Sequence, residues 1–140
     1  MGIFDEQDLK AQAADLAQFV QDATHLYGLD ARKVYGLGYS NGANMAAALM
    51  LLHPEVLAGA ALLRPVLPLE VAPLPNLAGK AAFLAAGTQD AWSPSQRVKA
   101  LADRLKQAGA TVELRWQQGG HQLYPEELIA AREWLAQNLA

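Results

Sequence analysis

Five residues, Gly38-Tyr39-Ser40-Asn41-Gly42, restrict this chain more than any other segment, because they sit between two runs that favour different backbone conformations. The run 33–37 before them is short, apolar and partly β-branched, and the run 44–52 after them is strongly helix-forming. The spacing therefore predicts a strand, a sharp turn and a helix. Gly-x-Ser-x-Gly in that setting has the form of a nucleophile elbow, where a serine is held in a strained conformation at the end of a strand. A Cβ at either glycine, Gly38 or Gly42, is expected to collide with the adjoining strand and helix.

The rest of the chain continues the alternation. Asp5 reads as a helix N-cap with Asp8 three residues on, and Leu9, Ala13, Leu16, Val20, Ala23 and Tyr27 follow at spacings of four and three before Gly28. The first strand is expected at about 33–37, and the elbow helix at about 41–52, stopped by His53-Pro54. A second strand is expected at about 56–63, after which Pro65, Pro68, Pro73 and Pro75 exclude a regular element up to Gly79. A third strand is read at about 80–85, and a helix that starts with Ser93 as cap and Pro94 as first residue runs to Gly109. A fourth strand at 111–116 and a helix at 125–139 complete the chain. Strands alternating with helices imply one α/β domain over residues 1–140, a three-layer αβα arrangement around a parallel sheet of about four strands in the order 1-2-3-4. Right-handed crossovers would put the first helix, the elbow helix and the helix between the third and fourth strands on one face. The last helix would lie on the other.

Composition narrows the function. Of 140 residues 52% are hydrophobic and 18% charged, with a net charge of −3, which suits a folded domain. No basic cluster is present, so neither nucleic acid nor an anionic membrane surface is an expected partner. The absence of cysteine removes disulfides, thiolate-bound metal and a thiol nucleophile, and leans toward the cytoplasm. The segment Met1 to Glu6 lacks a basic and an apolar region, and no apolar run reaches spanning length, so the chain reads as soluble and not exported.

A serine hydroxyl is a weak nucleophile near neutral pH, so an elbow calls for a histidine base and a carboxylate to orient it. In this arrangement they follow the serine in the order acid, then histidine, each on a loop at a strand end. Gly87-Thr88-Gln89-Asp90 follows the third strand and Gly119-Gly120-His121 the fourth. Asp90 and His121 are the candidates. His25 reads as a solvated helix residue, and His53 as a helix-terminal one. Ser93 and Ser95 are read as starting the helix at Pro94. Trp92, Leu123 and Tyr124 are candidates for lining a substrate pocket or for packing the loops, and Arg64 for meeting a substrate carboxylate or anchoring the Pro-rich loop. A phosphate-binding turn is the rival for Gly36-x-Gly38-x-x-x-Gly42, but the spacing is one residue too long and no acidic residue ends the next strand.

The runs Phe4-Asp5-Glu6-Gln7-Asp8-Leu9, Gly38 to Asn44, Arg64 to Pro68, Gly87 to Asp90 and Gly119-Gly120-His121 resemble the α/β-hydrolase superfamily, and within it the bacterial phospholipase/carboxylesterase-type esterases. The resemblance implies Ser40 as nucleophile, Asp90 as acid and His121 as base, acting on small carboxylic esters without a cofactor or metal. Family members carry further strands, a helix and an oxyanion-hole loop before the equivalent of Phe4-Asp5, so the resemblance implies either a fragment of a longer hydrolase or a short variant completed by self-association. Only the Asn41 N–H is then expected from the usual oxyanion pair. The elbow strand is left as an apolar edge, for which a homodimer or higher assembly is the expected remedy. A non-catalytic or weakly active, self-associating binding module is the alternative.

Overall fold

The computed structural model describes residues 6–66 and 68–140; the Asp5 cap, the Phe4-Asp5 part of the resemblance and Leu67 lie outside them. Helix α1 (Glu6–Leu26) buries Leu9, Ala13 and Ala17, with Leu16 and Val20 packed beside them, so the spacing of four and three marks its inner face as far as Val20, while Tyr27 lies beyond the helix and is exposed. Glu6 and Asp8 lie in its first turn, where negative charge complements the helix dipole.

The first strand starts later than its apolar run suggests. Asp30 accepts a hydrogen bond from Arg32 N–H at 3.0 Å and caps a 3-10 turn, Ala31–Lys33. The Arg32 side chain also bonds to Asp30 and holds that exposed carboxyl below its ordinary range. Lys33 is therefore still turning, and strand β1 is Tyr35–Tyr39. It runs through Gly38 because Gly38 and Tyr39 stand in register with Leu62 and Leu63 of β2 (Gly59–Leu63). Strand β2 is shorter than expected, since Val56 N–H bonds to His53 O in a turn after helix α2 (Asn41–Leu52).

Strand β3 (Ala81–Gly87), helix α3 (Ser95–Gln107), strand β4 (Thr111–Gln117) and helix α4 (Pro125–Leu139) follow. The four strands are parallel, in the order β1-β2-β3-β4. One start signal differs: Pro94 is the cap residue of α3, and the Ser93 hydroxyl instead donates to Arg64 O at 2.9 Å.

Strand periodicity divides the core in two. Ala60, Leu62, Ala82, Leu84 and Ala86 face α1, α2 and α3, while Ala61, Leu63, Ala81, Phe83 and Ala85 face α4. Fully burying a leucine is worth about 1.5–3 kcal/mol, so the first cluster, which also holds Leu101, Leu105 and Leu77, carries most of the stabilisation. On the other face Trp134 packs against Phe83 at 5.9 Å and Tyr35 at 5.8 Å. The Pro-rich connection joins the larger cluster through Leu69, with Val71 and Leu74 against it, so its apolar residues serve the core. Strands β2 and β3 are buried throughout, as continuous apolar runs in a doubly covered sheet are. At β1 the cover ends: Leu37 is 62% exposed and Tyr39 43%. No described helix is long and apolar enough to cross a membrane.

Candidate active site

Ser40 occupies the turn between β1 and α2 with φ 58° and ψ −115°, a region that a residue with a Cβ seldom adopts. The turn is held because Ser40 N–H donates to Leu63 O at 2.8 Å and Asn44 N–H donates to Ser40 O at 3.0 Å. Gly38 makes it possible, since a Cβ there would strike the Gly42 carbonyl group and Ala43 N. Gly42 departs from the expectation: a Cβ on it would meet nothing within 4 Å among the described residues. The steric demand of the elbow therefore falls on the first glycine.

Two loops at the carboxyl ends of β3 and β4 are laced together beside this turn. Thr88 N–H donates to Gln117 O at 2.9 Å and Gln89 N–H to Gly119 O at 2.8 Å. Gly87 has no room for a side chain, because a Cβ would meet the Gly119 and Gly120 carbonyls. Asp90 is thereby placed under His121, with Oδ2 at 2.7 Å from Nδ1. Its other oxygen accepts Trp92 N–H at 2.8 Å and Ser93 N–H at 3.0 Å, so the carboxylate cannot swing away. His121 Nε2 lies 2.8 Å from Ser40 Oγ. A carboxylate at Nδ1 favours the tautomer with its proton there, which leaves the Nε2 lone pair to accept the Ser40 hydroxyl. The Asp90 side chain is fully buried and the His121 side chain 22% exposed, so the relay opens outward at its histidine and serine end.

The structure thus brings Ser40, Asp90 and His121 into one hydrogen-bonded line, while His25 and His53 lie elsewhere, on and after helices α1 and α2. Asn41 opens α2, among the first N–H groups that a helix leaves without an internal partner. The pocket candidates separate. Trp92 is 53% exposed, two residues from Asp90. Leu123 instead packs against the apolar cluster under α4, and Tyr124 sits against Gly119 at the start of that helix. Arg64 is not available to a substrate: it is fully buried, with its guanidinium on Glu127 and on the Gly120 and Gln122 carbonyls.

Two residues here, Tyr39 and Glu127, have no place in the sequence-based expectation, and Ser93 has another role than the cap expected of it. Tyr39 Oη donates to His121 O at 2.9 Å, and its ring lies 5.3 Å from the imidazole. Glu127 is a buried acid whose only local sign is its place three residues after the α4 cap, where it accepts Tyr124 N–H at 3.1 Å. Ser93, taken as a cap, bridges Asp90 and Arg64.

Comparison with known proteins follows the same lines. The phospholipase/carboxylesterase family model matches residues 3–139. MhqD of Bacillus subtilis (strain 168), which carries a provisional hydrolase name, is 38% identical over 133 residues, 95% of this chain and 66% of its own length. The crystal structure of the Bacillus cereus carboxylesterase superimposes with a TM-score of 0.92 at 40% identity, covering 98% of this chain and 65% of that one. A carboxylesterase from Mesorhizobium loti gives a TM-score of 0.87 at 37% identity, covering 96% and 64%. The chain spans about two thirds of the length of these relatives.

Proposed function

The chain belongs to the phospholipase/carboxylesterase family of α/β-hydrolases, and from that premise we propose that it cleaves small carboxylic esters through an acyl-enzyme on Ser40. The observation that carries this reading is the continuous relay from Ser40 Oγ to His121 Nε2 at 2.8 Å and from His121 Nδ1 to Asp90 at 2.7 Å. Ser40 Oγ gives its proton to Nε2 as it attacks the acyl carbon. The carbonyl oxygen, now bearing the charge, is met by Asn41 N–H at the positive end of the α2 dipole. His121, oriented by Asp90, returns the proton to the departing alkoxide and the alcohol leaves. Water then gives a proton to His121 and attacks the acyl carbon of the acyl-Ser40 ester, and His121 passes that proton to the departing Ser40 Oγ, releasing the carboxylic acid and restoring both side chains. Each oxyanion donor of this kind is worth about 10²- to 10³-fold in turnover, which is the share that Asn41 N–H would carry. A panel of esters graded by acyl length tests the substrate class: hydrolysis that falls off with length is expected, and no hydrolysis of any member by folded protein would overturn the reading.

The same proposal places a second copy of the chain on β1. Tyr35–Tyr39 has no lysine, proline or charged residue to discourage pairing, and among the described residues it bonds to β2 alone. Pairing of two such strands about a two-fold axis would cover Leu37 and bring two Ser40 sites close together. Light scattering over a dilution series checks it; a monodisperse 15.0 kDa species would contradict it.

A further inference from the structure

Three successive carbonyls around the base are each held by a side chain from another element. Arg64 Nε donates to Gly120 O at 3.1 Å and Arg64 Nη2 to Gln122 O at 2.8 Å, while Tyr39 Oη donates to His121 O between them. The guanidinium is held in turn by Glu127 of α4 in a two-bond fork, Nη1 to Oε2 at 2.6 Å and Nη2 to Oε1 at 2.7 Å. The Arg64 backbone faces the acid loop: its carbonyl accepts the Ser93 hydroxyl, and Ser93 N–H bonds to Asp90 Oδ1. One residue is therefore tied to the loops of both Asp90 and His121. Its backbone lies at φ 58°, and among the described residues Ser40 is the other non-glycine residue with positive φ. Such a conformation persists where its surroundings over-determine it, and it clusters at functional sites.

A buried ion pair is by itself weak evidence of a stabilising role. Its attraction repays the desolvation cost only with good geometry and further hydrogen bonds, and apolar pairs of similar volume often serve a fold as well. What the planar fork does, and an apolar pair could not, is span two carbonyls that bracket His121 while its far side rests on a fixed carboxylate.

We propose that Arg64, clamped by Glu127, is a positioning residue that fixes the His121 loop so that Nε2 stays within reach of Ser40 Oγ. The proposal rests on the ester-hydrolase reading above. Its test is the double variant Arg64→Met/Glu127→Leu, which removes both charges together, with Arg64→Lys as the conservative partner, because lysine keeps the charge but cannot span both carbonyls. Two quantities are read on protein that melts cooperatively: the rate of labelling by a fluorophosphonate, and the far-downfield proton resonance of the His121–Asp90 hydrogen bond. Misplacement of a reacting group by about 1 Å can cost about 10²-fold, so labelling is expected to slow by about that factor in both variants, with the resonance shifted or lost. A folded variant with wild-type labelling and an unchanged resonance would overturn the proposal. Should the double variant fail to fold, Arg64→Lys decides alone. If the wild-type chain does not label, the hydrolase reading fails, and the resonance in wild type against variant still decides the clamp.

Discussion

The two sides of the sheet hold their share of the site in different ways. On the β3–β4 side, Asp90 and His121 stand on loops bonded to each other, to Arg64 and to Glu127, with no buried polar side-chain atom left without a partner among the described residues. On the β1 side, Ser40 follows an edge strand whose α4-side face is open at Leu37 and Tyr39. Asp90 and His121 are thus set by polar side-chain bonds over a closed core, whereas Ser40 is set by local backbone geometry, Gly38 and the register with β2. Damage on the first side should mis-aim the histidine. Damage on the second should either release the elbow or, on the bare face, do little.

The largest expected effect lies on the buried side. Asp90→Asn keeps the shape of the acid but offers an amide where His121 Nδ1 needs an acceptor, so ester turnover should fall by about 10⁴-fold with the melting temperature little changed. Kinetics with a chromogenic ester, beside thermal melting, checks both halves. Next comes the core beneath: Leu84→Ala, fully buried in the cluster shared with α1, α2 and α3, should cost about 2–5 kcal/mol in urea unfolding, whereas Leu37→Ala should stay within about 0.5 kcal/mol at dilutions where the chain is a monomer. A loss at Leu37 that grows with protein concentration is the expected mark of the second copy on β1. The glycines give a smaller and sharper contrast. Gly38→Ala drives a methyl into the Gly42 carbonyl and should cost about 1–3 kcal/mol and most of the activity, while Gly42→Ala, with open space around it, should leave the fold within about 0.5 kcal/mol.

How much of this was legible before the structure depended on the range of the interaction. The alternation of strands and helices, the strand order and the assignment of α4 to the opposite face follow from patterns within single segments and from crossover handedness. The approach of Ser40, Asp90 and His121 could be anticipated because each ends a strand of the same parallel sheet. Element ends were less legible. Asp30 capping a 3-10 turn outweighed the apolar run from Lys33, and the pull of Arg64 on Ser93 outweighed its tendency to cap α3. Arg64, Glu127 and Tyr39 carry no periodic sign of their role, since their contacts join residues 56 to 82 positions apart and arise only when β1, the end of β2 and α4 meet. Gly42 shows the reverse error: a motif position was given a steric reason that belongs to its partner Gly38.

The central claim is that Ser40 is a nucleophile made reactive by the line through His121 to Asp90. Its most direct measurement is fluorophosphonate labelling followed by peptide mass spectrometry on the wild-type chain, Ser40→Ala and His121→Ala. One adduct per chain is expected, on the peptide that contains Ser40, absent from Ser40→Ala and slowed by several orders of magnitude in His121→Ala, with all three proteins melting as cooperative folds. An adduct on another residue, labelling that survives Ser40→Ala, or a folded wild-type chain that takes no label would contradict it.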